Sequence, residues 1–338
     1  MKKASMKFLL SLDYELFFGN KTGSVQNCLI KPIDKLLQIV EPHGMKLSLF
    51  VDSSFLLRLK KESVRHSSLV SEYEGICTQL ANLVRRGHDV QLHVHSHWED
   101  CRFNGTDWDI DVSRYRLHDF SDNDINNIIK SNKELLEEVS NNEVFAFRAG
   151  GWCLQPFDKL KNPLIQNGIW LDSTVYDGGL SEDADRFYDF RHAPKMANWR
   201  FNDDPMSVNT QGEFLEIPIS SMKMNPLFYW KLIATKKILK GQFRSFGDGE
   251  VITASKSYYL DRLLKSSISP VTLDGAKAGL LSKAYKQSGK DAIFNVMGHP
   301  KTLSEYSLKA LKRFLEMTPE LESVTYQDYK HLREAGTN

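Results

Sequence analysis

Three histidines at alternate positions, His93, His95 and His97, fall in the run GHDVQLHVHSHWED at 87–100, in a chain with ten histidines among 338 residues. Imidazole is a common ligand of zinc and similar divalent ions. A histidine cluster bounded by Glu99 and Asp100 therefore points to metal chemistry. Other reactive side chains end apolar runs in the same manner. Asp13 and Glu15 follow KFLLSL (7–12), Arg148 ends EVFAFR (143–148), Asp172 falls in IWLDS (169–173), and His299 follows DAIFNVMG (291–298). Metal ligands, a base, an acid and a fixed cation are the parts of a hydrolytic site. Taken singly, each has a plain structural reading, as a solvated turn, a strand-end salt bridge or a core histidine.

The elements that must hold these residues are short apolar runs alternating with helical patterns, the signature of a parallel sheet or barrel built from βα units. KLSLFVD (46–52) and HDVQLHV (88–94) complete the early strands. Between them, residues 31–42 place Ile33, Leu36, Leu37 and Val40 on one stripe, with Pro32 near the start and Gly44 past the end. Residues 68–86 repeat the pattern up to Gly87, and 122–139 repeat it behind a cap at Ser121 or Asp122. The regularity fails between about 174 and 290, then resumes with the strand at 291–298, a helix over 304–316 and the strand ESVTY (322–326). This predicts one catalytic domain over 1–338 with a large insertion at about 174–290. In such folds catalytic groups collect at the C-terminal ends of strands. All five clusters lie there.

On a strand, residues i and i+2 share a face, so Asp13 and Glu15 can reach one point. For the histidines two outcomes stay open. If the strand runs on to His97, all three share a face; if the chain turns after His93, only His93 and His97 meet.

Composition narrows the partners. Lys and Arg total 44 against 43 acidic residues, a formal charge of +1, which disfavours a nucleic-acid binder that relies on a basic face. A small molecule or glycan fits better. Cys28, Cys77, Cys101 and Cys153 have no CxxC spacing, so neither a disulfide framework nor a zinc ribbon is expected. The early FLLSL is too short for the apolar core of a signal peptide, and no stretch approaches the roughly 18 apolar residues of a membrane span. A cytoplasmic protein is expected. Residues 226–244 mix Lys231, Lys236, Lys237, Lys240 and Arg244 with Leu227, Phe228, Trp230, Ile233 and Leu239. The default is a helix packed on the barrel; the sharper reading is peripheral contact with an anionic membrane.

In order along the chain, SLDYE (11–15), GHDVQLHVHSH (87–97), FRAGGW (147–152), WLDS (170–173) and NVMGHP (295–300) resemble the five motifs of the polysaccharide deacetylases, the NodB-homology group of carbohydrate esterase family four. The resemblance covers roughly residues 6–175 and 290–328. SLDYELFFG with LHVHSHW is most similar to the WalW-like branch assigned to lipopolysaccharide biosynthesis. The resemblance implies an α/β fold, a distorted (β/α) barrel of the NodB type. It implies a divalent metal, Zn²⁺ or Co²⁺, held by Glu15, His93 and His97, with His95 in a supporting place. Asp13 would be the base, oriented by Arg148, and His299 the acid, oriented by Asp172. Gly150, Gly151, Trp152 and Trp170 would line the sugar site, with backbone N–H groups at Ala149 to Gly151 facing the oxyanion. One departure is Tyr14, which separates two carboxylates that are adjacent in the common motif and leaves the division of roles between Asp13 and Glu15 open. The implied reaction is removal of an N-acyl group, acetyl or formyl, from an amino sugar or oligosaccharide, lipid-linked forms included. Competing classes are a metal hydrolase of a non-carbohydrate amide and a non-catalytic sugar-binding protein. An amidohydrolase-type enzyme would carry its His-x-His pair on the first strand, where this chain has carboxylates.

Overall fold

The computed structural model describes residues 6–183, 186–238, 241–251, 256–289 and 293–333. Asp291 and Ala292 of the expected late strand, and Leu239 and Lys240 of the basic segment, lie outside the described residues. The first half runs β1 (Lys7–Tyr14), α1 (Lys31–Val40), β2 (Leu47–Asp52), α2 (Ser53–Ser63), α3 (Val70–Arg85) and β3 (Asp89–Val94). A small hairpin of β4 (Arg102–Phe103) and β5 (Trp108–Asp109) follows, then α4 (Asp122–Ser140), β6 (Ala146–Ala149), α5 (Asp158–Gln166) and β7 (Leu171–Asp172). The second half runs β8 (Leu180–Asp183), β9 (Arg186–Asp189), β10 (Trp199–Phe201), β11 (Phe214–Glu216), β12 (Ser221–Met224), α6 (Pro226–Ile238), α7 (Lys256–Leu264), β13 (Ser267–Pro270), α8 (Leu281–Gln287), β14 (Ile293–Val296), α9 (Glu305–Met317) and β15 (Glu322–Val324).

The main sheet has the order β10-β11-β7-β6-β3-β2-β1-β14, with β15 also on β1, and every pair except β10–β11 is parallel. β1, β2, β3, β6 and β7 follow one another in chain order around the sheet, which is the winding of a (β/α) barrel rather than of a doubly wound sheet. The gap between the edges is spanned by backbone bonds rather than by a ladder. Ser220 N–H donates to Asn295 O (2.9 Å), Val271 N–H to Ser220 O (2.7 Å) and Met297 N–H to Val271 O (3.0 Å). The fold is the distorted (β/α) barrel expected.

Helix boundaries obey local chemistry. Ser121 caps α4 by accepting from Asp124 N–H, Ser304 caps α9 by accepting from Ser307 N–H, and the Asp52 carboxylate caps α2. Asn141 ends α4 in the left-handed region.

Strand parity decides what the barrel contains. Along β1, Phe8, Leu10 and Leu12 join the large core under the helices, whereas Leu9 joins a smaller cluster with Phe50, Phe145, Trp170, Leu171, Leu215 and Tyr326. The interior row of β1 is therefore Leu9, Ser11, Asp13 and then Glu15: apolar at the bottom, ionisable at the top. The same rule puts Phe50 of β2, Gln91 and His93 of β3, Arg148 of β6 and Asn295 of β14 on the inner side. All are at most 1% exposed.

The segment at 174–290 contributes to the barrel as well as to its periphery. It supplies β10 and β11 to the main sheet and residues 271–273 to the closure. What it adds outside the barrel is the β8–β9 hairpin, the β12–β13 pair and the α6–α7 pair. α6 does not pack on the barrel as an ordinary amphipathic helix; Leu227, Trp230, Ile233 and Ile238 are 56%, 53%, 39% and 78% exposed. Among the described residues no helix is long and apolar enough to cross a membrane. The four cysteines are free thiols.

Candidate active site

The interior rows of β1 and β3 bring Glu15, His93 and His95 together, with one ligand atom from each lying within 4.8 Å of the others. Glu15 Oε2 is 3.2 Å from His93 Nε2 and 2.5 Å from His95 Nε2. All three are buried. Its other oxygen, Oε1, accepts from the Lys301 ammonium at 2.9 Å, and that ammonium also donates to Leu16 O. Burial alone would raise the Glu15 pKa, but Lys301 and the two imidazoles hold it well below the usual carboxylate range. His93 Nδ1–H donates to Arg148 O at 2.7 Å, so a neutral His93 turns the lone pair of Nε2 toward the carboxylate. Two acceptors then face one another, and only a proton or a cation satisfies both. This donor set fits a divalent ion such as Zn²⁺, which takes imidazole and carboxylate ligands and keeps a position open in catalytic sites. A protein carbonyl fixing the distal nitrogen is the usual partner of a ligating histidine.

His95 takes the place expected for His97. β3 ends at Val94, His95 is still extended (φ −104°, ψ 90°), and the chain turns into a 3-10 helix only at Ser96–Glu99. His93 and His95 therefore share the inner face, while the turn carries His97 sideways. The His97 ring stacks on Tyr115 (5.8 Å, 11°) and meets Phe18 edge-on at 4.8 Å, and neither nitrogen has a hydrogen-bond partner. Burial pushes its pKa well down and keeps it neutral. In this geometry His95, rather than the expected His97, shares the Glu15 oxygen with His93.

Asp13 lies beside the cluster. Its Oδ1 accepts from Arg148 Nη1 at 2.6 Å, and its Oδ2 is 3.7 Å from His299 Nε2. Arg148 is wholly buried; its Nε donates to Ser173 O, Nη2 to Ser11 Oγ and Tyr326 OH, and the guanidinium lies 4.1 Å over the Phe50 ring. The expected pairing of Arg148 with Asp13 is present.

His299 is oriented by Asp274, not by Asp172. Nδ1–H donates to Asp274 Oδ2 at 2.9 Å, and Asp274 Oδ1 accepts from both the His299 N–H and Thr302 Oγ1. Burial alone would lower the His299 pKa, but Asp274, with Glu15 and Asp13 beyond it, raises it to about 9. Asp172 sits deeper, opposite Glu216 in the β7–β11 register, and accepts from Thr174 N–H and Oγ1. Glu216 Oε1 accepts from Val175 N–H, while Oε2 is buried with no donor to accept from. Burial and the neighbouring Asp172 carboxylate push Glu216 well above the usual range. A proton on Glu216 relieves both conditions.

The cluster opens into a pocket of about 290 Å³ lined by Asp13, Glu15, His93, His95, Trp152 and His299 among others. Gly151 lines it too, in the left-handed region (φ +61°), where a Cβ would come 2.7 Å from the Tyr115 hydroxyl. Gly150 serves packing: a Cβ there would lie 2.5 Å from Val94 O and 2.9 Å from His95 Nδ1. The Ala149 N–H is committed to Thr174 Oγ1, so it is removed from the expected oxyanion donors. Trp170 is absent from the pocket; it stacks on Phe145 at 5.1 Å in the small core cluster. Trp199 is likewise a core residue, donating to Pro205 O.

Asp274, Lys301 and Glu216 were not singled out from the sequence. Asp274 ends the alternating run PVTLD, the same strand-end signal that marked the other acids, and Lys301 follows His299 by two residues. Glu216 carries no signal, because its importance is the carboxylate it faces.

No family model matches this chain, and no curated protein is similar to it. Among solved structures it is similar to a Mycobacterium smegmatis protein described as a polysaccharide deacetylase, at 13% identity over 100% of this chain and 93% of the other, with a TM-score of 0.49. It is also similar to 4-α-glucanotransferase from Thermococcus litoralis (12%, 96% and 40%, TM-score 0.49) and to peptidoglycan deacetylase PdaC from Bacillus subtilis (12%, 99% and 99%, TM-score 0.36). At these identities no residue role carries over.

Two measurements check this site. Metal analysis of purified variants should show His95→Ala and His93→Ala losing most bound zinc and His97→Ala keeping it; loss in His97→Ala with retention in His95→Ala would restore the His93–His97 pair. Urea melts across pH test the buried acid pair. The native state keeps a Glu216 proton that the unfolded chain releases at ordinary carboxylate pH, so wild-type stability should fall as pH rises above that range. Glu216→Gln should flatten the fall, and an unchanged slope would show that the pair shares no proton.

Proposed function

We propose that the protein is a metal-dependent hydrolase that removes an N-acyl group, acetyl or formyl, from an amino sugar, as a single catalytic domain. The observation that carries this reading is the buried Glu15–His93–His95 donor set opening on the same pocket as Asp13, which is held by Arg148, and His299, which is held by Asp274. Glu15, His93 and His95 would hold the metal. When bound, a divalent ion such as Zn²⁺ supplies Lewis acidity and lowers the pKa of water toward neutrality.

The chain's own residues move the protons. Asp13, with Oδ1 tied to Arg148, takes a proton through Oδ2 from the water that attacks the acyl carbon. A new C–O bond forms and the C–N bond breaks. His299 carries a proton on Nε2 and gives it to the departing nitrogen, while Asp274 fixes the ring through Nδ1. The products are a free amino sugar and acetate or formate. Lys301 neutralises one oxygen of Glu15 and leaves the other to face the imidazoles.

The sugar class rests on the five sequence motifs, and assembly of a surface polysaccharide or lipopolysaccharide on the cytoplasmic side of a membrane is the setting we propose. The exposed apolar face of α6, with Lys231 and Lys237 on the same helix, supports peripheral contact with an anionic leaflet, where a lipid-linked sugar would be presented.

Acetate release from N-acetylated oligosaccharides should be abolished by chelation and restored by zinc or cobalt. Asp13→Asn should keep metal and lose turnover by on the order of 10²-fold or more, as expected for a positioned base; metal loss with turnover retained would exchange its role with that of Glu15. Vesicle sedimentation tests the membrane contact. Each basic side chain near an anionic leaflet contributes about 1 kcal/mol, so Lys231→Gln with Lys237→Gln should weaken binding roughly 30-fold and leave hydrolysis of a small soluble amide unchanged. Absence of salt-sensitive binding by the unmodified protein would remove the membrane from the reading.

A further inference from the structure

Beside the catalytic pocket lies a second cleft of about 340 Å³, and the two share the side chains of Trp152 and Arg186 as a common wall. Apart from Trp152, its lining comes from the segment beyond the regular βα pattern: the β8–β9 hairpin, the β12–β13 pair with the following turn, and the α6–α7 pair. Among the described residues three cations, Arg186, Arg262 and Lys277, line it against one carboxylate, Asp183, and Arg262 has an interaction of its own. Among the described residues no carboxylate lies within ion-pair distance of Arg186 or Lys277. Arg186 Nε is buried without an acceptor, and Lys277 Nζ has a neutral partner, the Ser269 hydroxyl at 2.9 Å. Burial lowers the Lys277 pKa and Arg262 lowers it further, against the pull of Asp274, as expected where cations crowd together. Converging positive groups around a cavity form an oxyanion site, and arginine is suited to phosphate and carboxylate.

The remaining walls are aromatic. Trp152 meets Tyr176 and Tyr188 edge-on at 5.6 and 6.0 Å, and those two tyrosines are joined through their hydroxyls at 3.0 Å. Trp152 has φ +60°, an uncommon conformation for a bulky residue and one that collects at functional sites. Flat aromatic faces, with a buried Trp152 Nε1–H that lacks an acceptor, suit a sugar ring bearing polar substituents.

We propose that this cleft is a subsite for an anionic substituent of the substrate, a phosphate or carboxylate carried next to the N-acyl sugar that is hydrolysed. The proposal rests on the deacylase reading for the chemistry at Asp13 and His299, and adds that the substrate is an acidic glycan or a phosphorylated one. Arg262 and Lys277 would bind the oxyanion, Trp152 would carry the sugar face, and Arg186 would span the two clefts. None of these contacts reaches the reacting bond, so their energy should appear in KM.

Steady-state kinetics and calorimetry on three substrates test this: N,N′-diacetylchitobiose, its 1-phosphate, and an N-acetylglucosamine disaccharide with glucuronic acid. For the unmodified protein, kcat/KM should favour at least one anionic sugar over the neutral one by tenfold or more, and which one names phosphate or carboxylate as the source. Arg262→Gln with Lys277→Gln should abolish that preference through KM, leaving turnover of the neutral sugar unchanged, and Arg262→Lys should retain it. Equal kcat/KM for neutral and anionic sugars in the unmodified protein overturns the subsite. So does a preference that survives the double substitution. If no sugar is hydrolysed but calorimetry shows anionic binding that the double substitution removes, the subsite stands and the deacylase reading falls.

Discussion

The Arg148 guanidinium at the centre of the barrel is the interaction on which the site depends. A fully buried cation is costly to desolvate and persists only when its donors are satisfied. Here every face is occupied: Asp13 and Ser11 from β1, the Ser173 carbonyl beyond β7, Tyr326 after β15, and the Phe50 ring of β2 beneath. These partners come from distant parts of the chain, so the barrel must close before the charge is paid for. Loss of either partner of such a pair leaves a buried charge unmatched, a cost of about 3–5 kcal/mol. The same bond fixes the rotamer of Asp13, and the Arg148 carbonyl fixes the tautomer of His93. One residue thus sets the orientation of both Asp13 and His93.

Above this layer the charges are arranged in opposition. Glu15 is shared between Lys301 on one oxygen and two imidazoles on the other, and His299 stands between Asp274 behind it and the two β1 carboxylates in front. In a water-poor pocket such neighbours set protonation states more strongly than intrinsic acidity does. His299 is drawn up to about 9 and is suited to donate a proton, while the nearby His97, lacking any carboxylate partner, is held neutral. Two histidines from different strand ends therefore receive opposite protonation states from their surroundings.

The segment at 174–290 divides its work. Part of it completes the sheet and bridges the open edge of the barrel, and part builds the aromatic and cationic walls beside the pocket. Asp274 joins the two, since the turn that begins there carries Lys277 to the second cleft while Asp274 itself orients His299. One turn thus borders both the pocket and the second cleft.

The sequence alone determined the elements and their phase. Apolar runs ending in Asp13, His93, Arg148 and His299 announced strands whose inner rows carry polar groups, and helix stripes closed by Gly44 or Gly87 announced the crossovers, because period and capping are local properties. Those cues were enough for a parallel sheet or barrel of βα units and for the carboxylate–histidine character of the site, while the Arg148–Asp13 pair was implied by the motif resemblance. Tertiary structure decided the partners. That His95 rather than His97 joins Glu15 depends on the backbone staying extended through His95 before it turns, which leaves His97 packed against Tyr115 and Phe18. That Asp274 rather than Asp172 holds His299 depends on a strand-like segment from the irregular region docking beside β14, while Asp172 is claimed by Glu216. Contacts between residues far apart in the chain leave no periodic trace in it, and which of several suitable side chains meet is fixed only when the barrel closes.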